Sequence, residues 1–332
     1  MENSKPILDY APLSMPVSHQ EKMRHKDFKL VTGTAVFFVA STIITCAGIL
    51  IYGYTMFVLI GIVVSLVLLA MVILIYQGIA TTMRMALFIK QNNLTYKEHI
   101  DYDNRPGVIF HEGRDKKFTT LITATKQIFS EIGVYEFTTG SGKNETTHTF
   151  SFVKIKLPRR LPNMVLDSKA NNTFGKISNL PTGLSNDQKL SLEGDFDSHF
   201  TLYTPAQYKR DALYIFTPDV MQALIDSAKD YDCEVIDDNF YIYIPETLDV
   251  SDAKELQDIL NIASKLRTEL LSQADYYADD RVGDRALNTV GATGVRLKNR
   301  MSTMKIVGMT IAVIFVLLQF SPTIVYFFTS MF

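Results

Sequence analysis

Two long stretches without a charge constrain this chain more than anything else in it. Residues 30–83 contain no Asp, Glu, Lys or Arg, and neither do residues 306–332. A bilayer core of about 30 Å is crossed by roughly 20 helical residues. The first stretch has room for two such helices, 31–52 and 56–76, and the second for one, 306–328. A signal peptide has a shorter apolar segment nearer the start. The stretches therefore read as retained spans. Only Gly53, Tyr54 and Thr55 separate the first two, so they form a tight helical hairpin turning at Gly53. Tyr52, Tyr54 and Tyr76 fall where an amphipathic ring suits the interface. Pro322 should kink the third span.

Cationic residues near the spans set orientation. Lys22, Arg24, Lys26 and Lys29 precede the hairpin, Arg84 and Lys90 follow it, and Arg296, Lys298, Arg300 and Lys305 precede the third span. The loop at Gly53 and the C-terminal end carry none. The charges share one side if the N-terminal tail (1–30) and the region 84–280 are cytoplasmic, 281–305 is a linker, and the C-terminus is outside. The spans hold no ionisable residue, so they read as anchors rather than a conduction path. A formal charge of -2 excludes a generally basic nucleic-acid binder. The partners expected are the bilayer and either a protein or a second copy. Cys46 and Cys233 lie far apart in sequence and match no disulfide framework or zinc pattern.

The region between the spans predicts an α+β domain with a mainly antiparallel sheet and at least two amphipathic helices. "GVIFHEG" and "KKFTTLITAT" are rich in strand formers, and residues 133–157 read as a long hairpin turning at "GSGKNE". Its Gly142-Lys143 pair fails as a phosphate loop, because Phe137 and Asn144 occupy the places of the required Gly and Ser/Thr. No cofactor is implied. Pro158 should end the strand "FSFVKIKL", leaving Arg159 and Arg160 at its exit as candidate anion contacts. "ALYIF" reads as a buried strand. Thr217, Pro218 and Asp219 then open a helix with an apolar face at Val220, Met221, Leu224, Ile225 and Ala228. "CEVI" and "FYIYI" read as strands joined by a turn at Asp237, Asp238 and Asn239. Asp252 and Glu255 resemble a capping box for a helix running to about Ala274, striped by Leu256, Ile259, Leu260, Ala263, Leu266 and Leu270. Gly283, Gly291 and Gly294 argue for a mobile lead into the third span.

The weak catalytic candidates are Glu193, Asp195, Asp197 and His199. Strand alternation would set Asp195, Asp197 and His199 on one face, where they could hold a cation or exchange protons. A solvated face is the plainer alternative. There is no HExxH, GxSxG or GxGxxG before a helix.

"LPRRLPNMVLDSKANN", "SNLP", "LSLEGDFDSHFTLYTP" and "RDALYIFTPDVMQALID" together resemble an uncharacterised family of bacterial membrane proteins. That resemblance covers about 150–244 and implies one soluble domain between an N-terminal transmembrane hairpin and a C-terminal helix, in the bacterial inner membrane. It transfers no functional residue. The expected role is a membrane-anchored interaction, scaffold or sensory module. A tethered enzyme using 193–199 and a transporter accessory subunit are the alternatives.

Overall fold

The computed structural model describes residues 8–53, 56–111, 113–125, 127–172, 180, 183–283, 288–298 and 310. The expected third span, 306–328, therefore lies outside the described residues, apart from Thr310. The chain divides into two compact units, one drawn from Met1–Thr95 with Asp249–Asp258 and the other from Tyr96–Leu248 with Ile259–Phe332.

The first unit opens with two short helices, α1 (Ala11–Ser14) and α2 (His19–Arg24). Two long apolar helices follow, α3 (Phe28–Tyr52) and α4 (Met56–Gln91). In their most apolar windows 0% and 6% of residues are buried. A helix of such composition in a water-soluble core is mostly buried, so these two suggest membrane association. The reversal falls where expected, with Gly53 at φ 68°. Small residues bring the helices together. The Ser41 and Ser65 hydroxyls stand 3.0 Å apart. A Cβ on Gly61 would meet Thr45 Oγ1 at 2.3 Å, so any larger residue there must push the helices apart.

α4 continues well past Tyr76, to Gln91. The N-terminal stretch is tied to this extension. Ser18 and Glu21 form a capping box on α2. His19 Nδ1 lies 3.0 Å from the Tyr76 hydroxyl, and the Lys22 ammonium sits 3.9 Å from the centre of the Tyr76 ring. Arg84 Nε donates to the Met15 carbonyl at 2.7 Å, and Asp9 N–H donates to Asn92 Oδ1 at 2.7 Å.

The second unit is built on a seven-stranded sheet. Its elements in chain order are β1 (Thr95–Asp101), β2 (Arg114–Thr123), β3 (Glu131–Thr139), β4 (Thr146–Ser168), β5 (Lys189–Leu190), α5 (Phe196–His199), β6 (Phe200–Tyr203), α6 (Lys209–Ile215), α7 (Pro218–Ala228), β7 (Asp232–Ile244) and α8 (Ala253–Tyr276). The order is β1-β2-β3-β4-β6-β5, with β7 paired to β4. The β2–β3, β3–β4, β4–β6, β4–β7 and β5–β6 pairs are antiparallel. The predicted hairpin is β3–β4, with Tyr135 opposite Phe150 and Gly133 opposite Phe152. Phe110, Phe118, Tyr135, Phe152, Tyr241 and Tyr243 are each at most 1% exposed and pack ring against ring, many edge to face.

Several readings need correction. "GVIFHEG" is not a strand; Val108–Phe110 is a 3₁₀ turn. Pro158 does not end its strand. β4 runs through to Ser168, and its register with β7 shifts between Lys156 and Met164. Pro158 and Pro162 fall within that irregular stretch, where a missing N–H costs no ladder bond. "CEVI" and "FYIYI" are likewise one strand, β7, in which Asp237 at φ 55° forms a kink rather than a hairpin turn. The irregularities of both long strands fall at the same level, where Leu161 pairs with Asp237. "ALYIF" lies in α6, with Ala212 and Ile215 buried and Leu213 and Tyr214 exposed. Five apolar residues fit either state, and the burial spacing here is helical. Finally, Phe196–His199 is a turn of helix, so no strand alternation aligns Asp195, Asp197 and His199.

The two amphipathic helices are α7 and α8. Pro218 starts α7 as expected, but the Thr217 hydroxyl makes no cap bond and is buried without a hydrogen-bond partner. Asp252 caps α8 through Oδ1, which accepts from Lys254 N–H at 2.8 Å and Glu255 N–H at 3.1 Å. All six stripe residues of α8 are buried.

Candidate functional site

The residues singled out from sequence do not assemble a site. Asp197 accepts from Leu192 N–H at 3.1 Å through Oδ1 and from the Ser191 hydroxyl through Oδ2. Both oxygens thus close the loop leading into α5. His199 Nε2 lies 3.7 Å from Asp195, whose side chain is 77% exposed. Glu193 is exposed. No group of three or more His, Cys, Asp or Glu among the described residues could hold a metal ion. Arg159 and Arg160 lie in the irregular stretch of β4, the first half-buried and the second exposed. Arg160 N–H donates to Asn288 Oδ1 at 2.7 Å.

The site-like feature is Glu234, in the part of β7 that pairs with Val165. It is 2% exposed, between the buried Cys233 and Val235. Its Oε2 accepts from Val108 N–H at 2.8 Å and from the Tyr243 hydroxyl at 2.5 Å. Oε1 takes no hydrogen bond among the described residues. Burial raises the carboxyl to about 7, against the two hydrogen bonds that favour its ionised form. The carboxyl therefore changes charge near neutral pH. Gly107 makes the arrangement possible. Its φ is 138°, and a Cβ there would meet the Tyr243 hydroxyl at 2.7 Å.

Glu234 forms part of the wall of a cavity of about 300 Å³. Val108, Leu184, Ile236 and Leu297 give it apolar sides, and His111 and Arg296 are polar lining residues that are exposed at the surface. Asn163, also on the wall, serves structure. Its Nδ2 donates to the Val295 carbonyl at 3.0 Å, and its N–H donates to the Gly294 carbonyl at 2.8 Å.

No family model matches this chain, and no curated protein matches it. Among solved structures it is similar to the crystal structure of the mycobacterial trehalose monomycolate transport factor A, TtfA. The identity is 12% and the TM-score 0.34, over 55% of this chain and 89% of that one. A likeness of that size fixes no role.

One wall of the cavity comes from a segment read as a mobile lead. Residues 288–298 are instead docked. Gly291 N–H donates to Asp279 Oδ2 at 2.9 Å. Lys298 N–H donates to Gln188 Oε1 at 2.7 Å, and Ser185 N–H to the Lys298 carbonyl at 3.1 Å. The anchor is a buried polar cluster. Asp279, 4% exposed, also accepts from the Tyr208 hydroxyl at 2.6 Å and from Arg281 N–H at 3.0 Å. Arg281 bridges Asp279 and Asp211 while lying 4.1 Å over the Tyr208 ring. Burial works against ionisation of Asp279, but its donors outweigh that and hold its pKa below the usual value. Sequence reasoning passed over Glu234 because "CEVI" was read only as a strand. A carboxylate set between Cys233, Val235 and Ile236 was the available signal.

Proposed function

We propose that this chain is a membrane-anchored sensory module whose globular domain binds a small molecule beside Glu234. One observation carries the reading: Val295, Arg296 and Leu297 wall the cavity and also lie nine positions or so before the apolar run at Ile306. A ligand that alters the docking of this strap alters the chain's route to the membrane. In this reading the domain and N-terminus are cytoplasmic, the C-terminus is outside, and the setting is a bacterial inner membrane. The cationic flanks support that orientation.

A reporter fused after Phe332 is expected to be active only outside the cytosol, and protease added to intact cells should leave the domain whole. Cytosolic reporter activity would reverse the assignment. The sensory role is tested by filling the cavity with Leu184→Trp in the full chain. Amide exchange at Gly291, Gly294 and Lys298, whose N–H groups are all hydrogen-bonded, is expected to change several-fold. Unchanged exchange in a folded variant would remove the coupling.

A further inference from the structure

The apolar hairpin carries a cationic cluster held at a defined level, all of it within the first unit. His19 of α2 packs against both long helices at once. Its ring centre lies 6.1 Å from that of Phe28, at the start of α3, and 5.9 Å from that of Tyr76, in α4. Tyr76 closes the second span of the sequence reading, so α2 is pinned where lipid tails give way to headgroups. Lys22 holds its ammonium 3.9 Å from the centre of the same Tyr76 ring. A ring face occupies one side of an ammonium and leaves N–H donors for a negative partner. His19 Nδ1 is taken by the Tyr76 hydroxyl at 3.0 Å, so Nε2 is the ring nitrogen left to donate. Residues 18–30 set four cations, Lys22, Arg24, Lys26 and Lys29, against two carboxylates. Both acids are engaged locally. Glu21 Oε2 accepts from Ser18 N–H at 2.8 Å and from its hydroxyl at 2.7 Å, and Asp27 lies 3.5 Å from His25 Nδ1. Neither forms a salt bridge with any of the four cations among the described residues.

We infer that the α2 segment is a headgroup site for an anionic phospholipid, with the Lys22 ammonium and His19 Nε2 on the lipid phosphate and Arg24, Lys26 and Lys29 supplying the surrounding field. The assignment rests on α3 and α4 being membrane spans. Charge complementarity and depth choose the occupant. Cations at headgroup level meet lipid phosphate continuously. A free anion must instead leave water and approach a surface that is already negative. The capping box contributes as well. It turns Glu21 back on the start of α2, so the one carboxylate next to Lys22 in the chain does not neutralise it.

The test reconstitutes the full chain in phosphatidylcholine bilayers and adds spin-labelled phosphatidylglycerol or spin-labelled phosphatidylcholine. Electron paramagnetic resonance then measures how much of each label the protein immobilises. Phosphatidylglycerol is expected to be held several-fold more strongly than phosphatidylcholine. Lys22→Gln should cut that preference by about five-fold, the scale of one lysine beside an anionic surface, and Lys22→Arg should keep it. Lys90→Gln, in the last turn of α4, should leave it unchanged. Equal losses from Lys22→Gln and Lys90→Gln would show diffuse charge and overturn the site. Equal immobilisation of the two lipids would also overturn it while leaving the spans in place. Immobilisation of neither lipid would overturn the membrane reading itself, and the site with it. Inorganic phosphate that displaces the labelled phosphatidylglycerol would make this a free-anion site and overturn the lipid.

Discussion

Glu234→Gln is expected to flatten the domain's stability across pH 4.5 to about 7. The buried carboxyl binds its proton more tightly in the folded chain than in the unfolded one. Its contribution is therefore fully present below pH 4.5 and is lost as pH rises through about 7. At about 1.4 kcal/mol per unit, the loss approaches about 3.5 kcal/mol. Glutamine has the shape of the protonated acid. Its amide oxygen can accept from Val108 and Tyr243 while its NH₂ faces the cavity. The variant should thus resemble the wild type at pH 5 and exceed it at pH 8. Urea unfolding followed by circular dichroism, at both pH values, measures this. Parallel wild-type and variant profiles would mean that Glu234 is not the group that titrates.

Asp279→Ala should cost about 3 kcal/mol or more, because it strips four donors of one acceptor and leaves Arg281 with only Asp211 and the Gln207 carbonyl. The buried Tyr208 hydroxyl and the part-buried Gly291 N–H would then both lose the Asp279 acceptor. The loss should be local first: residues 288–298 should become cleavable by protease under conditions that leave the sheet intact. Asp279→Asn, which keeps an acceptor, should recover part of the loss. An Ala variant with wild-type unfolding and unchanged cleavage would show that the strap is held by its other contacts, at Asn163 and Gln188.

Features with a local signature were legible in the sequence. The apolar helices, the β3–β4 hairpin, the α7 start at Pro218 and the α8 stripe each follow from residues close together in the chain. What failed was fixed at long range. The prolines of β4 read as a stop because proline lacks a donor, yet the opposing strand shifts register beside them and asks for none. Asp237 read as a hairpin turn because Asp suits turns. β7 instead continues along β4, pairing Phe240 with Ile155 on one side of the kink and Val235 with Met164 on the other. The Glu234 site was least legible. Its donor at Val108 stands 126 positions away, and Arg296 comes from the segment whose glycines suggested mobility. Those glycines have a packing reason, since a Cβ on Gly294 would meet the Tyr208 ring at 2.6 Å.

The β4–β7 ribbon also bears on how the chain is made. Ser151 pairs with Ile244 and Leu166 with Cys233, so neither half of β4 is closed on that side until synthesis has passed Ile244. By then the apolar hairpin has long since emerged. The nascent domain must wait with a long unpaired edge rich in Phe, Val, Ile and Leu, the kind of surface that recruits stray strands. High contact order makes the final zippering slow. Under the proposed anchoring, tethering to lipid would keep neighbouring nascent copies from meeting freely during that interval.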